Sequence, residues 1–292
     1  MSISKKGVGK SSPVSLPALA EWGIDVTNTF EKYLKEYQSI PQYKKILHTM
    51  INFFDMYTPL PYKNLLSSAN RTIAGANEIR KIKRAQIYMN KKELITTTDN
   101  KHGKRIVVTS RGHKIFYEDY PLAKLRKNKW EGNWTLVMYD FPEKIRSCRD
   151  TLRSNLIKMG FGSPQISTLV TPLPVEKPIL QLLEGRELEN YVWVLTCKKL
   201  WGLSDQKIAG RSWPLKELNR LYKALLEALP KVREVNTKSI IKEWQEYYLA
   251  LVTNDPQLPA ELLPKNWLGE ICKKEFSKLE TKDLFWMLFQ SV

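Results

Sequence analysis

Cysteine and histidine are scarce in this chain. Its 292 residues hold three of each: Cys148, Cys197 and Cys272, and His48, His102 and His113. The cysteines are far apart, odd in number and form no C-x-x-C pair, which argues against a disulfide framework or a zinc site. The histidines are scattered too, so a Ser-His-Asp or Cys-His catalytic group has little material to draw on. No stretch approaches the roughly 18 apolar residues of a membrane span. The opening residues, MSISKKGVGKSSPVSLP, lack the apolar core of a secretory signal. They read as a disordered basic tail over residues 1–20. A cytoplasmic protein with no membrane partner is expected.

Acidic residues are in short supply as well. There are 30 Asp and Glu against 47 Lys and Arg, a net charge of +17. That excess points to a polyanionic partner, nucleic acid before any other. The length is enough for two or three domains, each with its own core.

Apolar residues at helical spacing (Phe30, Tyr33, Leu34, Tyr37) make residues 21–40 an N-terminal amphipathic helix. Pro41 opens a second helix, PQYKKILHTMINFFDMY, with Ile46, Leu47, Met50, Ile51 and Phe54 on one side. Pro59 and Pro61 end it, and YKNLLSS can form only a short third helix before a loop. In EIRKIKRAQIYM, residues 78–89, Ile79, Ile82 and Met89 share one face. Arg80, Lys83 and Arg84 share the opposite one, with Lys81 and Tyr88 toward its edge. ELITTTDNKHGKRIVVTS then reads as strand, turn and strand, and RGHKIFYEDY as a helix. Helices followed by a basic hairpin is the order of a winged helix-turn-helix, expected over residues 41–129.

Residues 76–130 carry fifteen Lys and Arg against five acids, a balance of +10 out of the chain's +17. A basic helix face alone is usually just solvated. Beside a wing of the same sign it becomes a surface that tracks phosphates by releasing their condensed counterions. Double-stranded DNA is therefore the expected partner, with RNA its competitor. The candidate contacts are Arg80, Lys81, Lys83 and Arg84 on the helix, Lys101, Lys104 and Arg105 on the hairpin, and Arg111 just beyond.

LAKLRKNKWEGN reads as a charged connector, followed by a unit at 130–200 in which strands and helices alternate: WTLVMYD (strand), EKIRSCRDTLRSNLIKMG (helix), QISTLVTPL (a single strand), EKPILQLLEGREL (helix) and YVWVLTC (strand). That alternation suggests an α/β or ferredoxin-like domain. Residues 201–292 read as helical: LKELNRLYKALLEALP, SIIKEWQEYYLALVTN and WLGEICKKEFSKL, then an apolar tail, LFWMLF, suited to packing on its own domain or across a dimer. The expected class is thus α+β and multidomain: winged helix-turn-helix, ferredoxin-like domain, helical C-terminal domain. Trp130, Trp134, Trp193, Trp201, Trp213, Trp244, Trp267 and Trp286 read as core residues rather than base stackers.

The central stretch resembles the PaaX family of bacterial transcriptional repressors. The matching residues are Trp130, Gly132 and Trp134; Asp140, Pro142 and Glu143; Arg149, Leu152 and Arg153; and Gly160, Phe161 and Gly162. WPLKELNRLYKALL from Trp213 and NDPQLPAELLPKNWLGEICKK from Asn254 also look like the family. The resemblance implies a DNA-binding repressor, a homodimer, released from its operator by a small effector that in characterised members is an acyl-coenzyme A. No cofactor and no catalysis are expected.

The central unit is also similar to small CRISPR-associated ferredoxin-like nucleases. In them an aspartate at the end of the first strand holds a divalent metal between two subunits, and Asp140 stands at that position. The alternative function is thus a metal-dependent, CRISPR-related nuclease or accessory protein using Mg2+. One carboxylate per chain beside Glu143 is little equipment for metal hydrolysis. The favoured expectation is that Asp140 and Pro142 end the strand and cap the next helix.

Overall fold

The computed structural model describes residues 28–53, 60–61, 76–100, 103–126, 130–184, 188–198, 202–235 and 238–278. The chain is α+β, with two small antiparallel sheets among its helices. Residues 1–27, the short third helix expected at YKNLLSS, and the apolar C-terminal tail lie outside the described residues.

The N-terminal part holds α1 (Asn28–Ser39), α2 (Gln42–Phe53), β1 (Leu60–Pro61), α3 (Ala76–Lys91), β2 (Ile95–Asn100), β3 (Gly103–Val108) and α4 (Ser110–Asp119). Its sheet runs β1-β3-β2. β2 and β3 form the expected hairpin, with Ile95 opposite Val108 and Asn100 opposite Gly103. β1 was not legible in its proline-rich segment: Leu60 pairs with Ile106 and Pro61 with Arg105. As an edge strand it tolerates the missing proline N–H.

The central unit is β4 (Trp134–Tyr139), α5 (Arg146–Lys158), β5 (Gly162–Gln165), β6 (Thr168–Thr171), α6 (Glu176–Leu183) and β7 (Val192–Cys197). Its order is β5-β6-β4-β7, with antiparallel neighbours throughout. Two strands, not one, separate its helices. QISTLVTPL begins with the last residue of β5, turns at Ile166 and Ser167, and continues as β6.

The C-terminal part comprises α7 (Asp205–Ser212), α8 (Leu215–Val235), α9 (Lys238–Asn254) and α10 (Gly269–Lys278). α7 was not anticipated. Ser204 caps it, its hydroxyl accepting from the Lys207 N–H. α8 also runs past Pro230, where the sequence pattern stops. The exposed ring costs one backbone hydrogen bond, and the buried Val232 two residues later repays continuing the helix.

Among the described residues, the largest core joins the N-terminal helices to the C-terminal ones. It gathers Phe30 and Tyr37 of α1, Leu47 of α2, Met89 of α3 and Phe116 of α4 with Leu221, Trp244, Tyr248 and Phe276 of the C-terminal helices. Phe30 and Tyr247 rings lie 4.6 Å apart. The "connector" is not merely solvated: Pro121–Arg126 forms a 3-10 turn that buries Leu122 and Ala123. Leu122 enters a second core with Trp134, Trp213, Leu215 and Leu262. A third core, around Val137, Leu156, Phe161 and Ile179, lies between the central sheet and its helices.

Candidate nucleic-acid interface

α3 presents one continuous exposed stripe. Arg80, Lys83, Arg84, Ile87, Tyr88 and Lys91 are all exposed and recur at i, i+3, i+4, i+7, i+8 and i+11. Ala85, Gln86 and Met89 on the other side are buried. Tyr88 leans on Tyr43 of α2, ring centroids 4.6 Å apart. Sequence reasoning had passed over Ile87, which is 65% exposed amid the basic groups. Its position seven residues after Arg80 was the available signal. An apolar side chain there suits contact with a thymine methyl in a major groove.

The turn after α3 fixes the hairpin against it. Leu94 N–H donates to Met89 O at 2.8 Å, and Glu93 takes φ 56°, where glycine usually closes a helix. Thr109 locks this corner. Its hydroxyl donates to Glu93 O and accepts from Gly112 N–H, capping α4, while its N–H donates to Leu94 O at 3.0 Å. Gly112 permits the fit, since a Cβ there would lie 2.3 Å from Leu94 O.

The other anticipated contacts divide. Lys81 belongs to α3, and Lys104 and Arg105 to β3, opposite Asp99 and Thr98. Lys101 lies outside the described residues. Arg111 is exposed and lies 3.5 Å from the Glu93 carboxylate. A second acid of the region is also engaged: Asp119 accepts from Lys44 Nζ and lies 2.9 Å from His48 Nε2. Partial burial pushes the Asp119 carboxyl up, but the hydrogen bonds and charges of His48 and Lys44 overcome it and hold the group below its ordinary value.

Asp140 is exposed just beyond β4, its backbone N–H donating to Tyr191 O at 2.9 Å. The expectation that it caps the following helix is corrected. A 3-10 turn, Glu143–Ile145, intervenes, and α5 begins from Ile145 with no side-chain cap. Among the described residues no group of three or more His, Cys, Asp or Glu gathers that could hold a metal ion. Arg153, two turns into α5, instead pins the β5–β6 turn. Its guanidinium donates to Tyr139 OH, Ser163 Oγ and Ile166 O, and Tyr139 OH donates to Ile166 O.

Gly160 and Gly162 have distinct reasons. Gly160 closes α5 at φ +92°. A Cβ on Gly162 would meet the Trp213 ring at 2.6 Å, so the central sheet packs tightly on the start of the C-terminal part.

Comparison with known proteins accounts for these motifs. Residues 127–209 match the PaaX protein central Cas2-like domain, and residues 213–283 match the PaaX-like protein C-terminal domain. The chain belongs to the PaaX family. It is 24% identical over 159 residues to the transcriptional repressor PaaX of Escherichia coli (strain K12), a match covering 50% of each. The chain thus spans about half the length of the curated relative it matches. An uncharacterized protein of Mycobacterium tuberculosis, Rv0674, is similar over 84% of this chain and 94% of its own, at 16% identity and a TM-score of 0.46. The PaaX family segments begin at residue 127, so the stripe on α3 lies before them.

Trp201 and Trp286 lie outside the described residues; among the described tryptophans, Trp130 and Trp267 pack partly buried against the cores. Trp134, Trp213 and Trp244 are buried, and Trp134 Nε1 donates to Asp205 Oδ1 at 2.9 Å. Trp193 departs from the expectation of a core residue. It stands 54% exposed on β7, directly opposite Met138 and two residues from Leu195, both also exposed.

Proposed function

We propose that this chain is a DNA-binding transcriptional repressor of the PaaX type, acting in the cytoplasm as a homodimer and without catalytic activity. The observation that carries the proposal is the exposed stripe on α3, with its basic residues side by side and a hairpin locked to its end. A helix of 16 residues is roughly 24 Å long and fits a major groove about 12 Å wide. Residues 41–129 act as a winged-helix head. Arg80, Lys83 and Arg84 grip phosphates and base edges, and Lys101, Lys104, Arg105 and Arg111 grip the flanking backbone. Residues 130–200 act as a ferredoxin-like core, and residues 201–292 tie it to the head.

An exposed apolar group at Met138, Trp193 and Leu195 supports the dimer. It sits on the edge strand β7 and its neighbour, where a symmetric copy can cover it. Two heads in one dimer would read half-sites about one helical turn apart, or a multiple of it. An effector such as an acyl-coenzyme A would release DNA by binding the DNA-incompetent arrangement more tightly.

Incubation of the purified protein with labelled genomic fragments, with and without magnesium, tests the reading. Salt-sensitive retention that needs no magnesium is the expected result. Magnesium-dependent cleavage lost on Asp140→Ala would establish the nuclease alternative instead.

A further inference from the structure

The exposed residues of α3 are not equivalent. An α-helix turns about 100° per residue, so Arg80, Arg84, Ile87 and Lys91 fall within a sector of about 60°. They form one line along the helix, and the buried Met89 lies on the opposite side. Lys83 and Asn90 fall to one side of the line and Tyr88 to the other, each about 60–80° from Arg80. The Tyr88 ring is braced by Tyr43 of α2, so that flank is held in place from a second helix.

The central line is chemically mixed. Near its middle Arg84 is followed three residues later by Ile87, which is 65% exposed. Phosphate would use the guanidinium and leave the isoleucine idle. A base edge can use both. In the major groove thymine alone carries a methyl group, and guanine offers the paired N7 and O6 acceptors that match an arginine fork. Residues three or four apart on a helix in that groove reach successive base pairs, the spacing that zinc-finger helices use. A groove also has a bank of phosphates on each side of its base edges, so the flanks of such a helix meet charge while its outermost line meets bases.

We propose that α3 reads two adjacent base pairs, Arg84 taking a guanine and Ile87 the methyl group of a thymine beside it. Lys83 and Asn90 meet phosphates on one bank, and the Tyr88 hydroxyl, steadied by Tyr43, meets them on the other. The assignment rests on the repressor reading and goes beyond it by naming the bases and the side chain that takes each.

Selection of sites by the full-length protein from a random DNA pool, followed by base analogues placed in the selected site, tests it. A position that prefers guanine next to one that prefers thymine is expected. Replacing that thymine by uracil removes only the methyl group and is expected to weaken binding about fourfold, the worth of one buried carbon. Replacing the guanine by 7-deazaguanine removes the N7 acceptor and is expected to weaken it about tenfold. Inosine there keeps the major-groove edge and is expected to bind as guanine does. Ile87→Ala is expected to bind the thymine and uracil sites equally. Arg84→Gln is expected to prefer adenine at the guanine position, because glutamine pairs with adenine N6 and N7. Both side chains are exposed, so neither variant disturbs the core. An Ile87→Ala protein that still distinguishes thymine from uracil, or an Arg84→Gln protein that still prefers guanine, overturns the proposal. Retention of DNA with no base preference overturns it and leaves the repressor reading standing. Retention of no DNA overturns both.

Discussion

Lys44 Nζ lies 2.8 Å from both carboxylate oxygens of Asp119, joining α2 to the end of α4 across 75 residues of sequence. His48, one turn along α2, reaches the same carboxylate while its ring meets Phe116 and Tyr120 edge-on. Asp119 is therefore held inside the protein's own charge pattern rather than turned against a phosphate.

The pH dependence follows from the direction of the Asp119 shift. Folding depresses this carboxyl, so its contribution is present above the unfolded-state value, near 4, and lost as pH falls through the folded value. Urea midpoints should show Asp119→Asn less stable than wild type at pH 7 by about 1 kcal/mol or more. The difference should shrink below about pH 4. A gap that persists unchanged at pH 2 would remove the ionised pair as its cause.

Arg80→Ala with Arg84→Ala should weaken DNA retention and lower the slope of log affinity against log salt by at most about two units. Ile87→Ala should leave that slope unchanged and reduce discrimination between sequences by about 1 kcal/mol. Unaltered affinity in both variants takes the α3 stripe out of the interface.

Glu93 adopts a left-handed backbone with its side chain 79% exposed. Glu93→Gly relieves that conformation and should stabilise the protein by up to about 1 kcal/mol in thermal unfolding. It also removes an acid from the basic surface and frees Arg111, so DNA affinity should rise. A fall in both measurements would contradict this account of the corner.

Gly162→Ala should destabilise by about 1–3 kcal/mol, because the added methyl meets the Trp213 ring and Ser212. Gly132→Ala offers a contrast. It has no neighbour within 4 Å, so it meets only the strain of its positive φ, near 1 kcal/mol. Chemical denaturation of the two variants separates contact from conformation.

Trp193→Glu puts a charge in the centre of the apolar group on β7 and should leave the fold intact, since the side chain already faces solvent. Sedimentation should then report monomers where wild type gives dimers, and DNA retention should fall with the loss of the second head. A wild-type protein that sediments as a monomer sinks the dimer outright.

In α3 and the hairpin after it, where a short-range rule suffices, the sequence reading and the structure agree. The periodicity in α3 already put Arg80, Lys83 and Arg84 opposite Met89, and Gly103 marked the hairpin. Where two segments far apart must choose each other, the reading missed. Leu60 and Pro61 pair with β3 in a stretch that local rules assign to a loop, and the turn at Ile166 is held by Arg153 from another element. Trp193 has the same alternation as a buried strand residue yet stands exposed, together with Met138 opposite it on the inner strand β4.

Charge, helical and strand periodicity, and the motif residues of the central unit were determined by the sequence by itself, because each depends on neighbours within a few positions. The tertiary structure alone decided that the N-terminal and C-terminal helices share one core, that Asp119 pairs with Lys44, and that Ile87 joins the basic stripe in solvent. Those outcomes depend on which surfaces meet, and surfaces meet by excluding water over contacts dozens of residues apart.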